Sequence, residues 1–300
     1  MKQLVVLSGK GGAGKTSLTA SFADLSAAGP TKASMVIADA DVDASNLALV
    51  LDPHPVQRTD FWGGQIARVD RETCLGCGAC QAVCRFDAIQ IQDGISRIGP
   101  ISCEGCAACM YTCPQDAITM HMQVVGQWYH SETRYGPLIH AHLKPAQENS
   151  GKLVSQVKKQ AQDLAEENLP AWVLVDGPPG IGCPVISALS GADLALVVAE
   201  PGLSGVHDMR RALETVAHFG IPAAVCINKS DLYPEGCAEI KRYCQDHDLD
   251  LLGTIPFDET ITAAMSRGKP VTSYQSDAPS SQAIRRIWKR TMDALFMPEP

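Results

Sequence analysis

Eight of the twelve cysteines fall into two runs, Cys74, Cys77, Cys80, Cys84 and Cys103, Cys106, Cys109, Cys113, each spaced C-x2-C-x2-C-x3-C. Three thiolates on a tight loop can cover one face of an iron–sulfur cube and a more distant fourth can close it, so each run has the spacing of a [4Fe–4S] ligand set. Structural zinc is the plainer alternative. Zinc sites, however, use a C-x2-C pair with a distant second pair, whereas here four close thiols occur twice. The runs lie 29 residues apart, and Asp87-Ala88-Ile89 recurs as Asp116-Ala117-Ile118 at the same displacement, which marks a duplicated small unit. Pro114 follows Cys113 but Arg85 follows Cys84, and a charge beside one cluster would tune it differently from the other.

A second chemistry lies near the N-terminus. The pattern G-x-x-x-x-G-K-[ST] is met from Gly9 to Thr16, after a short apolar run and before a helical one. In that pattern the backbone N–H groups of Gly11, Gly12, Ala13, Gly14, Lys15, Thr16 and Ser17 wrap phosphates. Lys15 reaches the β and γ oxygens, and Thr16 binds Mg²⁺.

With Lys10 included, GKGGAGKTS resembles the deviant Walker A loop of the ParA/MinD/Mrp and nitrogenase iron-protein family. The resemblance implies two subunits closed on two ATP molecules, with Lys10 acting across the interface on phosphoryl charge as an arginine finger does. DADVDASN at 39–46 is similar to the family's first switch, which implies Asp41 as the carboxylate orienting the attacking water and Asp39 near Mg²⁺. DGPPGIG at 176–182 resembles Walker B running into the second switch, with Asp176 on the Mg²⁺ side and Gly180 in the γ-phosphate-sensing stretch. NKSD at 228–231 resembles the base-reading stretch, with Asn228 at the adenine.

The cysteine runs resemble those of two-cluster ferredoxins, in which the fourth cysteine of each run ligates the other cluster. That implies Cys74, Cys77, Cys80 and Cys113 on one cube, and Cys103, Cys106, Cys109 and Cys84 on the second. From Gly9 to the closing GKPV at 268–271, the chain resembles MinD-superfamily P-loop ATPases with an inserted ferredoxin domain. Two functions fit that combination. One is a Mg²⁺-dependent ATPase, dimeric with itself or with a related subunit, whose closure drives electron transfer through two clusters to a partner metalloprotein. The other is an ATP-dependent carrier or maturation factor for a metal cluster.

The elements that must hold these residues are legible as a pattern. Continuous apolar runs at 4–7, 34–41, 172–176, 194–200 and 223–228 read as strands buried on both faces. Helical patterns fall near 15–27, 151–167, 205–218, 235–247 and 280–296. The fold class expected is α/β, a doubly wound, mostly parallel sheet. Residues 1–63 and 122–300 form the ATPase body, and 64–121 an inserted ferredoxin-like α+β domain. The stretch 123–150 shows no clear pattern and is expected to return the chain to the body.

A formal net charge of −8 with no long Lys/Arg run argues against a nucleic-acid surface, which must neutralise phosphates. The N-terminus reads as a first strand, not a signal peptide, and twelve cysteines without one point to the cytoplasm. Cys226, Cys237 and Cys244 read as buried thiols. Cys183, seven residues beyond Asp176, sits at an offset similar to that of a subunit-bridging cluster ligand in nitrogenase iron proteins, but the second cysteine those proteins supply has no clear counterpart here, so a bridging cluster is the less favoured reading. His121, His130, His140 and His142 read as part of a polar loop, with zinc or proton relay as the alternative. The tail 280–296 is amphipathic and basic, and packing on its own sheet is the reading preferred over membrane contact.

Overall fold

Leu4, Val5, Val6 and Leu7 are all buried within β1 (Lys2–Ser8), as a continuous apolar run requires of a strand covered on both faces. In the computed structural model, which describes residues 1–29, 34–145, 150–168 and 171–296, β1 leads through a glycine-rich loop into α1 (Lys15–Ala27). Then come β2 (Ser34–Asp39), the short α2 (Leu47–Leu51) and the long β3 (His54–Val69). The cysteine-rich stretch holds α3 (Ala79–Val83), β4 (Ile89–Gln92), β5 (Ile95–Ile98) and α4 (Ala108–Thr112). It is followed by β6 (Ile118–Thr133), β7 (Gly136–Leu143), α5 (Ser150–Glu167), β8 (Ala171–Pro179), α6 (Cys183–Leu189), β9 (Leu194–Ala199) and α7 (Leu203–His218). The chain ends with β10 (Ala223–Ile227), α8 (Pro234–Asp246), β11 (Asp250–Thr254), α9 (Glu259–Ser266), α10 (Val271–Tyr274) and α11 (Pro279–Phe296).

One sheet has the order β11-β10-β9-β1-β8-β2-β7-β6-β3, and the pairings from β11 through to β7 are parallel. Helices α1 and α11 cover one face. Phe22 of α1 meets Trp288 of α11 edge-on at 5.0 Å between ring centroids. The apolar stripe of α11 (Ile284, Ile287 and Leu295) is thereby buried on its own sheet, and Arg290 donates to the carbonyls of Leu251 and Leu252.

The chain divides into two units, Met1–Arg58 with Trp128–His142 and Ser150–Pro300, and Thr59–Gln127 with Leu143–Asn149. The second is longer than the stretch 64–121 marked by the cysteines, because β3 and β6 run sixteen residues each and begin or continue well outside the cysteine runs. Of the patternless stretch 123–150, residues 123–143 are largely extended chain in β6 and β7, and 146–149 lie outside the described residues.

Within the second unit the duplication is visible in the backbone. Gly78 and Ala107 both take left-handed φ (80° and 62°) at the N-termini of α3 and α4, and Cys84 and Cys113 end those helices with ψ of 110° and 115°. Gly99 N donates to Ala88 O and Asp70 N to Ala117 O, each at 2.8 Å, so the two halves cross-brace one another. Ala67, Cys80, Ile89, Cys109 and Ile118 form the core of this unit.

Candidate functional site

The loop between β1 and α1 is shaped by its neighbours as much as by its own glycines. Gly14 has φ 99°, and a Cβ there would collide with the Asn228 amide, so only glycine fits. Asn228, expected at the adenine, lies buried beneath the loop, donating to Ala13 O at 2.9 Å and accepting from Lys229 N at 3.0 Å. Its amide therefore holds the shape of the phosphate loop. Lys15, Thr16, Ser17 and the loop glycines Gly11, Gly12 and Gly14 line an open cleft together with Asp41, Asp43, Asn46 and Pro179. Free backbone N–H groups at the start of a helix make such a cleft an anion site.

Parallel pairing of β2 with β8 sets Asp39 opposite Asp176 at the carboxyl ends of adjacent strands. Both are fully buried, and Thr16 and Thr19 donate to the two oxygens of Asp176 at 2.7 and 3.0 Å. Asp39 accepts from Asp41 N at 3.1 Å, Ser45 Oγ at 2.7 Å and Leu47 N at 3.3 Å, which ties down the turn after β2. Burial raises the pKa of Asp39, and the adjacent Asp176 raises it further. Burial likewise raises Asp176, with the Lys15 ammonium opposing. Two buried carboxylates side by side are a standing demand for a cation, and a hard divalent ion with oxygen ligands is the natural one. Asp41 faces the cleft itself, its carboxyl raised by burial and held down by Lys15.

Lys10 does not reach into this cleft. Its Nζ lies 3.1 Å from Glu200 Oε2 and 3.3 Å from Ser204 Oγ. The other Glu200 oxygen takes Lys229 Nζ at 3.1 Å, and that ammonium also donates to Gly12 O at 3.3 Å. Glu200 thus links Lys10 to the loop from outside, although no motif marked it; its one signal was an acidic residue closing the apolar run LALVVAE. Thr19 also went unmarked, and its signal was its place one helical turn after Thr16.

The eight clustered thiols border two separate hollows. Cys74, Cys77, Cys80 and Cys113 line one with Ser96, Pro114 and Ile118. Cys84, Cys103, Cys106 and Cys109 line the other with Ala67, Ile98 and Met120. All eight are free thiols. Gly76 N donates to Cys74 Sγ at 3.5 Å and Ala117 N to Cys113 Sγ at 3.3 Å, while Ser96 Oγ and Cys80 Sγ lie 3.2 Å apart. Hydrogen bonds from Ser96 and Gly76 hold Cys74 below the usual thiol range, whereas burial raises Cys109. Among the described residues no three His, Cys, Asp or Glu side chains approach closely enough to share a single metal ion. Four thiols spread around a mainly apolar hollow suit a larger multi-iron group instead.

The profile of the CobQ/CobB/MinD/ParA nucleotide binding domain matches residues 4–271. The chain belongs to that family. The uncharacterized protein MJ0578 of Methanocaldococcus jannaschii is 32% identical over 288 residues, which are 96% of this chain and 95% of that one. An iron-sulfur cluster carrier protein of Pyrococcus horikoshii is 24% identical over 159 residues, covering 48% of this chain and 53% of its own length. The solved structure of the septum site-determining protein MinD from Pyrococcus horikoshii, complexed with Mg-ADP, shares the fold with a TM-score of 0.57 at 18% identity, over 97% of this chain and 95% of that one.

As a nucleotide-binding protein of the MinD/ParA type, the chain leaves several cysteines and histidines outside its phosphate cleft. Cys226 and Cys244 are pushed up by burial to about 12 and about 11, which makes them inert packing thiols. Cys183 is exposed at the first turn of α6. His140, expected in a polar loop, is buried on β7, 3.0 Å from Ser131 Oγ and stacked on Tyr129. Burial, with His142 adding to it, lowers its pKa to about 4, so it stays neutral. It lies within a run of four consecutive buried residues on β7, Leu138 to Ala141. Among the described residues no helix is long and apolar enough to cross a membrane.

Proposed function

We propose that this chain is a Mg²⁺-dependent ATPase carrying two [4Fe–4S] clusters in an inserted ferredoxin-like domain, and that ATP-driven closure of a dimer is coupled to electron transfer toward a partner metalloprotein. The observation that carries the reading is the arrangement of eight free thiols around two hollows, four to each, in the same chain as a phosphate loop. Cys74, Cys77, Cys80 and Cys113 hold one cluster, and Cys103, Cys106, Cys109 and Cys84 the other. Bound there, each cluster supplies one-electron storage.

At the nucleotide, Lys15 neutralises β and γ phosphate charge, Thr16 and Asp176 hold Mg²⁺ with Asp39 behind them, and Asp41 orients the attacking water. Lys10 of a second copy, or of a related subunit, adds charge at the transferring phosphoryl group. Coupling is supported by chain order: α2 ends at Leu51, just after the stretch that resembles the first switch, and β3, which leads into the second unit, begins at His54. Any coupling needs two states of that switch with different affinities for the partner. We place the protein in the cytoplasm, without a nucleic-acid partner.

A second reading, an ATP-timed cluster carrier, is favoured by the likeness to an iron-sulfur cluster carrier protein. One experiment separates the two: anaerobic ATP turnover with clusters oxidised and then dithionite-reduced, with iron counted before and after. Turnover that changes with redox state at constant iron supports electron transfer. Iron that leaves for an apo-protein on nucleotide binding supports the carrier. A preparation with no cluster-bound iron ends both.

A further inference from the structure

The duplication that built the second unit left one buried position chemically unequal. With the 29-residue displacement, Ile66-Ala67-Arg68-Val69 aligns with Ile95-Ser96-Arg97-Ile98, so Ala67 and Ser96 are counterparts. The structure treats them as such. Both are buried, and each lines the hollow formed by the cysteine loop of the opposite repeat, Ser96 against Cys74, Cys77 and Cys80, and Ala67 against Cys103, Cys106 and Cys109. The loops are seated equivalently, since a Cβ on Gly76 would strike Gly94 O and one on Gly105 would strike Gln65 O, again 29 residues apart.

The difference is a hydroxyl. Ser96 Oγ lies 3.2 Å from Cys80 Sγ, while the alanine side chain offers the other hollow no donor. A cysteine that ligates iron is a thiolate and has no proton to give, so Ser96 must then be the donor. A hydrogen bond to a ligand sulfur favours the more negative, reduced state and raises the reduction potential. Two backbone bonds add to the Ser96 side, Gly76 N to Cys74 Sγ at 3.5 Å and Ala117 N to Cys113 Sγ at 3.3 Å, but neither involves a side chain that Ser96→Ala would remove. The charged differences act against each other. Arg85 stands where Pro114 does in the other repeat, and Glu104 where Leu75 does, so opposite charges flank the second site. Both are exposed and screened by solvent, whereas the Ser96–Cys80 contact is buried.

We infer that Ser96 splits the two cluster sites in potential, making the site of Cys74, Cys77, Cys80 and Cys113 the first to be reduced and leaving the Ala67 side lower. Ser96 is a positioning and tuning residue, not a ligand. The inference rests on the two-cluster reading above.

The test is an anaerobic redox titration of the full chain, with iron and sulfide counted first and reduction followed by electron paramagnetic resonance. Eight irons and two one-electron steps are expected in the wild type. Ser96→Ala should move only the upper step to lower potential, by about tenfold in the reduction equilibrium, about 59 mV for one electron. Ser96→Thr should restore it. Ala67→Ser should raise only the lower step. Eight irons with both steps unmoved in Ser96→Ala, or movement of the lower step, overturns the inference and leaves the two-cluster reading intact. If Ser96→Ala loses a cluster, Ala67→Ser decides: a raised lower step supports the inference and an unmoved one overturns it. A wild-type protein that holds no cubane iron ends both together.

Discussion

Lys10 Nζ and Glu200 Oε2 are 3.1 Å apart, and the other Glu200 oxygen holds Lys229 at the same distance, so one carboxylate grips two ammonium groups beside the phosphate loop. Hydrogen bonds and charge from Lys229 and Lys10 keep Glu200 below its usual range although burial opposes them. In this arrangement Lys10 is held within its own chain. Lys10→Ala should therefore leave Mg·ATP binding nearly intact while lowering turnover about 10³-fold, the low end of what a charge-stabilising finger supplies. Glu200→Gln should release Lys10 and raise ATP-dependent dimerisation, read by light scattering. Full turnover in Lys10→Ala would remove Lys10 from the chemistry.

Asp41 lines the cleft, whereas Asp39 and Asp176 lie buried beneath it. Asp41→Asn should keep nucleotide affinity by calorimetry and reduce turnover by about 10²–10⁴-fold, the range for a lost proton-handling or water-orienting group. A large loss of affinity instead would mean that Asp41 serves binding.

Burial and the neighbouring Asp176 raise the pKa of Asp39 in the metal-free protein, so ionising both carboxyls is unfavourable there. Asp176→Asn should raise the Tm of the nucleotide-free protein, by about 2–4 °C for each kcal/mol gained. The same change should abolish the stabilisation by Mg·ADP, about 2.7 kcal/mol in the wild type at a hundred times Kd. A variant that still gains stability from Mg·ADP would take Asp176 out of the metal site.

Asp258 caps α9 by accepting from Thr260 N at 2.9 Å and reaches α11 by accepting from Ser280 Oγ at 2.6 Å. Partial burial opposes ionisation, but the bonds from Ser280 and Thr260 prevail and hold its pKa at about 2. A carboxyl depressed in the folded state adds stability that is complete above its unfolded value near 3.8 and disappears as pH falls toward 2. Asp258→Ala should cost about 0.5–2 kcal/mol at neutral pH. Thermal melts of both proteins should converge between those two pH values, and a gap independent of pH would refute the capping account.

The expected fold and the observed one agree most closely where signals are local. The phosphate loop, the run Leu4–Leu7 and helices such as α1 and α5 are written in short-range spacing, because turn chemistry and the periods of strand and helix involve residues a few positions apart. The duplication was legible for the same reason. The stretch 123–150 was not, since β6 and β7 carry polar and aromatic residues whose burial depends on what covers them.

Composition and spacing alone therefore determined an α/β nucleotide-binding protein with two sets of closely spaced thiols. Tertiary structure decided which distant groups meet. The register of β2 on β8 set Asp39 against Asp176, the end of β10 placed Asn228 under the phosphate loop, and Glu200 took hold of Lys10. Crossing of the two repeats put Ser96 beside Cys80. Such contacts join residues from 16 to 215 positions apart, and their partners are selected by sheet order and packing, which no local pattern encodes.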